Sequence, residues 1–138
     1  MIVKSFEIEK NVETISKYKF TLVYGENIGL KEKLKNEIIK IFKNYEIINI
    51  YQEDFDKNKN ILHNEFKNSS LFSSEKLIII HQANDKILEE IEVLKFEKDT
   101  TKLILLADLL EKKSKLRYFF EKEKELLIIP CYHDNDYT

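Results

Sequence analysis

Three short, wholly apolar runs constrain this chain more than anything else in it: Leu77-Ile78-Ile79-Ile80, Leu103 to Leu106 and Leu126 to Ile129. Four consecutive apolar residues suit neither a half-wet sheet nor one face of a surface helix. They fit strands buried on both faces, the condition of a parallel sheet held between layers of helices. Two more strands are read from β-branched and aromatic content, Lys19 to Tyr24 and Glu46 to Tyr51. Between the strands, apolar residues recur at helical spacing. Leu30, Leu34, Ile38, Ile41 and Phe42 form one stripe, with Asn27 as its cap and Lys31, Lys33, Lys35 and Lys43 mostly off it. Asp54 or Asp56 is expected to cap a helix carrying Ile61, Leu62 and Phe66, and Asp85 one carrying Ile87, Leu88, Ile91 and Leu94. Leu116, Phe119 and Phe120 mark a further helix, Ile8, Val12 and Ile15 a short early one, and Pro130 is expected to stop the last strand. The sum is an α/β fold of three layers around a mostly parallel five-stranded sheet, with residues 1–138 as a single domain. The chain stops just past a strand and is expected to be a fragment of something longer.

Composition narrows the functional classes. At 138 residues and 43% hydrophobic the chain can bury a real core, and 2 Gly and 1 Pro exclude linker-like or collagen-like character. One Cys excludes an internal disulfide framework and fits a reducing compartment. No apolar run approaches the ~20 residues of a membrane span, and Met1 to Lys10 lacks the apolar core of a signal peptide, so a cytoplasmic protein with no membrane partner is expected. The net charge of −2, from 23 basic and 25 acidic residues, gives no global case for nucleic acid. Arg117 is the only arginine, which disfavours any role needing guanidinium forks on phosphates.

The turn after the first strand, Tyr24-Gly25-Glu26-Asn27-Ile28-Gly29-Leu30-Lys31-Glu32, has the strand-to-helix setting of a phosphate-binding loop. Its chemistry falls short. Gly25 and Gly29 are one residue too close, and Lys31 comes two residues after the second glycine. Glu32 stands where a hydroxyl would hold magnesium, and Glu26 brings a negative charge into an anion cradle. The third strand ends in His81-Gln82, where an NTPase needs acids to position metal and water. Asp108 follows the fourth strand, but Tyr24 and His81 end the first and third, so a phosphorylated receiver domain is disfavoured too. The loop is read as a degenerate phosphate loop that binds no nucleotide; a diverged P-loop NTPase domain using Gly25, Gly29 and Lys31 is the alternative. His63, His81 and His133 show no paired metal spacing, and Cys131 with His133 makes only a thin candidate site, so neither metal nor cofactor is expected. Lys112-Lys113-Ser114-Lys115 reads as solvated helix surface.

One segment resists a purely structural account. Asn68-Ser69-Ser70-Leu71-Phe72-Ser73-Ser74 sets two large apolar residues among small polar ones, between a helix and a buried strand. The pair either staples the helix onto the sheet or docks into a partner. Burial of each is worth roughly 1.5–3 kcal/mol, enough for hot spots of a modest interface. The residues alone leave both readings open.

The order of strand, Tyr24-Gly25-Glu26 turn, helix, Ser70-Leu71-Phe72 before an apolar strand, then Leu105-Leu106-Ala107-Asp108 to Lys113-Ser114-Lys115-Leu116, resembles the amino-terminal domain of the delta-subunit family of the bacterial DNA polymerase III clamp loader. The resemblance runs over essentially the whole chain, and its most specific piece is Ser-Leu-Phe followed by Leu77 to Ile80. It implies an AAA+ type domain that has lost ATP binding and has no activity of its own. It implies Leu71 and Phe72 as anchors in a pocket of the beta sliding clamp, with Ser70 shaping the turn. Lys67, Asn68 and Ser69 stand where family members often carry a Gln. The resemblance further implies gamma/tau and delta prime subunits as partners of a longer protein, and DNA only within the assembled complex.

Overall fold

The computed structural model describes residues 1–68, 75–97 and 100–133. Its strands are β1 (Phe20–Tyr24), β2 (Glu46–Tyr51), β3 (Lys76–His81), β4 (Lys102–Ala107) and β5 (Leu127–Pro130). They form one sheet in the order β2-β3-β4-β1-β5, and every pairing is parallel. The helices are α1 (Ser5–Lys10), α2 (Ile28–Ile41), α3 (Gln52–Lys57), α4 (Ile61–Lys67), α5 (Leu88–Leu94) and α6 (Lys115–Lys122), with 3-10 turns at Val12–Lys17 and Asp85–Ile87.

The two-residue period of the strands divides the core. Phe20, Leu22, Tyr24, Ile78, Ile80, Leu103 and Leu105 face one side, where Phe55, Phe66, Ile91 and Phe120 of α3 to α6 cover them. Val23, Leu77, Ile79, Ile104 and Leu106 face the other, under Ile8 of α1, Ile15 and the Leu34, Ile38 stripe of α2. The apolar runs are therefore buried on both faces, as their composition predicts, and the architecture is a three-layer α/β fold.

Several local expectations are corrected. The early helix is two pieces, α1 and a 3-10 turn, and the Ile61, Leu62, Phe66 helix is preceded by a separate α3. Neither Asp54 nor Asp56 caps α4; Asp54 sits in the first turn of α3, where its Oδ2 accepts from the Tyr51 N–H at 3.2 Å. β5 does end at Pro130, as expected, but the proline is itself the last strand residue, paired with Tyr24. The Ile128 N–H points to the outer edge, donating to the Met1 carbonyl, so two residues on the missing N–H of Pro130 also faces outward and costs the ladder nothing.

Candidate functional site

The connections after β1 and β4 leave to opposite faces, to α2 and α6 respectively, although these strands are neighbours. Such a switch point opens a crevice at the carboxyl ends of the strands, the place where open α/β sheets bind ligands. Gly25, Gly29, Lys31 and Asp108 all gather there.

The polar groups of this crevice meet one another. The Gly25 N–H donates to the Asp108 carbonyl at 3.3 Å, and the Asn27 N–H to the Cys131 carbonyl at 3.1 Å. Asn27 caps α2 as its sequence position predicts, its Oδ1 accepting from the Leu30 N–H at 3.1 Å. The Lys31 side chain is 11% exposed; its ammonium donates to the Ala107 carbonyl at 3.0 Å and lies 3.4 Å from Asp108 Oδ1. Gly29 has only ordinary contacts around it, while Gly25 lies against the Cys131 backbone at φ +132°. The turn is thus tied to the neighbouring strand ends by its own amides and its own lysine.

On the α6 side, the crevice floor is aromatic. Tyr24 and Tyr132 share a hydroxyl hydrogen bond of 2.7 Å with their rings edge-on at 5.9 Å, and the Arg117 guanidinium lies 5.2 Å from the Tyr24 ring centre. Burial, then the Tyr132 hydrogen bond, drives the Tyr24 hydroxyl far above its ordinary pKa, so it stays protonated. Sequence reasoning named Tyr24 as the end of the first strand and Arg117 as the one arginine, but did not bring them together with Tyr132. The only signal was position: Tyr24 is the last residue of β1, and Tyr132 lies two residues past β5.

The end of β3 carries no acid aimed at the crevice. His81 stacks on Tyr51 at 4.6 Å and 19°, with its Nε2 2.8 Å from Asn49 Oδ1; burial, then Lys35, lowers its pKa. Asp85 was expected to cap the helix carrying Ile87, Leu88, Ile91 and Leu94, but Asn84 caps the 3-10 turn that leads into it, accepting from the Lys86 N–H at 2.9 Å, and α5 itself has no side-chain cap. The Asp85 carboxylate instead reaches across to the start of α6. It accepts from the Ser114 hydroxyl at 2.6 Å and from the Lys115 and Leu116 N–H groups at 3.1 and 3.2 Å. Burial alone would raise its pKa; the hydrogen bonds from Ser114, Leu116 and Lys115 outweigh that and hold it below the ordinary value.

Cys131 is buried, and burial pushes its thiol up to about 12, so it is no ready ligand beside His133. Among the described residues no group of three or more His, Cys, Asp and Glu is placed to hold a metal, and no helix is long and apolar enough to cross a membrane.

Ser70, Leu71 and Phe72 lie outside the described residues. Their described flanks carry these contacts. Lys67 at the end of α4 pairs with Glu97 at 2.8 Å, and the Glu46 N–H donates to the Glu75 carbonyl at 2.8 Å. Buried Lys76 donates its ammonium to the Glu65 carbonyl.

No protein-family model matches this chain, and no curated protein matches it in sequence. Among solved structures, the Bacillus subtilis DNA clamp loader delta protein (YqeN) is similar in fold, with a TM-score of 0.67 and 14% sequence identity. The match covers 93% of this chain and 42% of that one, so this chain spans less than half the length of the protein it resembles.

Proposed function

We propose that this chain is a clamp-binding, clamp-opening domain of a delta-type clamp-loader subunit, anchored by Leu71 and Phe72. The observation that carries the reading is the Ser70-Leu71-Phe72 run between α4 and β3 of a chain whose fold is like that of a clamp loader delta protein. Ser70 shapes the turn that presents the anchors, and the receiving surface is a hydrophobic pocket on the ring-shaped beta sliding clamp.

Opening the ring requires only that the docked domain fit the open form better than the closed one. The differential affinity then shifts the ring toward opening without hydrolysis in this domain. The occupied crevice around Lys31 agrees with a subunit that leaves ATP to its neighbours, the gamma/tau and delta prime subunits of a full loader.

The test is binding to a purified bacterial sliding clamp by the wild type beside Leu71→Ala/Phe72→Ala. At roughly 1.5–3 kcal/mol per anchor, the double substitution is expected to weaken binding by about a hundredfold or more, with an unchanged unfolding midpoint. A midpoint that falls steeply while clamp affinity persists would make the pair a core staple and end the proposal.

A further inference from the structure

Glu46-Ile47-Ile48-Asn49-Ile50-Tyr51 mixes polar with apolar residues where β3 and β4 are apolar through their middles, and the sheet order gives the reason: β2 is an edge. The two edges are finished differently. Along β5 the amino terminus covers the ladder. Ile2 pairs with Ile128, the Val3 N–H donates to the Ile128 carbonyl at 3.0 Å, and the Ile128 N–H donates to the Met1 carbonyl at 3.0 Å. Along the outer side of β2 no segment does the same among the described residues. We propose that β2 pairs with β2 of a second copy of this chain, antiparallel about a two-fold axis at Ile48, joining two five-stranded sheets into one. The inference stands apart from clamp docking.

The backbone of β2 sets the register. The Glu46 N–H donates to the Glu75 carbonyl, one residue before its ladder partner Lys76, as a parallel pair requires. Glu46, Ile48 and Ile50 therefore turn their backbone groups to β3, and the alternate residues turn theirs outward. Both ends of the outward row are already in use: the Tyr45 N–H donates to the Phe42 carbonyl at 2.9 Å and the Tyr51 N–H to Asp54 Oδ2 at 3.2 Å. Ile47 and Asn49 remain, and they complement each other. Set opposite Asn49 of the other copy, Ile47 exchanges both backbone bonds with it, and the two-fold axis repeats the exchange. A shift to either side would face Ile47 with Ile47 or Asn49 with Asn49, and would throw the remaining residue against an end already in use.

The side chains agree with the backbone. β2 carries no Lys, Pro, Gly or bulge, the devices that keep an edge from pairing. Ile47 and Ile48 pack on the core from opposite faces yet are only half-buried, and in the paired form Ile48 meets its twin across the axis. The one charge of the strand, Glu46, faces Ile50 of the other copy. It stands about 13 Å along the strands from its own twin, beyond the ~10 Å screening length of 0.1 M salt. Because the amino terminus already covers β5, pairing through β2 closes at two copies. An edge of this length buries less than a standard interface, so the dimer belongs in the micromolar range.

The experiment is sedimentation velocity on the chain from about 1 to 500 µM, where the wild type should pass from monomer to dimer with a midpoint on the order of 10–100 µM. Asn49→Pro removes only an outward N–H and leaves the β3 ladder whole, so it should raise that midpoint about tenfold or more. Asn49→Lys, at an exposed position, sets two like charges about 7–8 Å apart across the axis and should do the same. The unfolding midpoint of the dilute variants checks that each keeps its fold. Cysteine cross-linking reads the register. Ile48→Cys would face itself in a non-hydrogen-bonded pair with Cα atoms about 4.5 Å apart, within disulfide reach, and should oxidise to a covalent dimer. Glu46→Cys, about 13 Å from its twin, should not. Cys131 is buried and adds no background. A chain monomeric to about 500 µM would leave the edge to a foreign strand and overturn the proposal. So would a dimer indifferent to both Asn49 substitutions, growth beyond two copies, or cross-linking at Glu46→Cys without cross-linking at Ile48→Cys.

Discussion

Gly25 ends β1 at a φ of +132°, a region L side chains rarely enter, with the Cys131 backbone pressed against the place a Cβ would take. The Cys131 N–H donates to the Tyr24 carbonyl at 2.6 Å, and its carbonyl receives the Asn27 N–H, so β5 cannot retreat without losing both bonds. Gly25→Ala is therefore expected to destabilise the fold by about 2–3 kcal/mol, read as a lowered denaturation midpoint. Gly29 gives the opposite result although it lies in the same loop. It is the second residue of α2, its nearest neighbour to an added Cβ is Asn27 Oδ1 at 3.8 Å, and its φ is ordinary. Gly29→Ala should be neutral or stabilising by up to about 1 kcal/mol, because alanine favours the helix. If both glycines served an anion cradle, the two substitutions would not separate in this way.

At the scale of elements, the start of α6 shows what a sequence exposes and what it hides. Ser114 is visible as a cap, and its Oγ accepts from the Arg117 N–H at 3.2 Å. The second cap, Asp85, comes from another connection 29 residues earlier, and only the tertiary arrangement brings it there. Its pH signature follows from its lowered pKa. The stabilisation is complete above the ordinary carboxylate value of about 3.9 and is lost as pH falls through the lower folded value. Asp85→Ala should cost about 1–2 kcal/mol at neutral pH, and the gap between variant and wild type should close only in strong acid, as followed by denaturation midpoints against pH. The strands were legible because burial on both faces leaves continuous apolar runs, and β3 and β4 differ from their readings only at their ends. Helix boundaries between Tyr51 and Ile61 were not, because the break at 58–60 is made by polar residues compatible with either one helix or two. The trio Tyr24, Arg117 and Tyr132 was hidden for the same reason as Asp85: its members come together only when β1, α6 and the end of β5 meet.

For the molecule as a whole, the sheet order fixes where a ligand would bind, and the side chains decide whether one can. A nucleotide entering the crevice between β1 and β4 would have to take Lys31 from the Ala107 carbonyl, and the amides of Gly25 and Asn27 from the carbonyls of Asp108 and Cys131. Each exchange forfeits about 1 kcal/mol of native hydrogen bonding and strands a partly buried carbonyl, before any gain from phosphate contacts. Glu32 then offers the metal a carboxylate on the exposed side of α2 where the chemistry needs a hydroxyl beside the phosphates. Calorimetric titration with millimolar magnesium-ATP is accordingly expected to be flat for the wild type and for Lys31→Ala alike. The substitution should still register in stability, by about 1–2 kcal/mol, since it removes the ammonium from the Ala107 carbonyl. Magnesium-dependent heat that Lys31→Ala abolishes would instead mean that the crevice opens on demand. The domain would then be a diverged NTPase whose lysine is parked on Ala107 between cycles, and clamp opening would have to be sought in its hydrolysis rather than in docking energy alone.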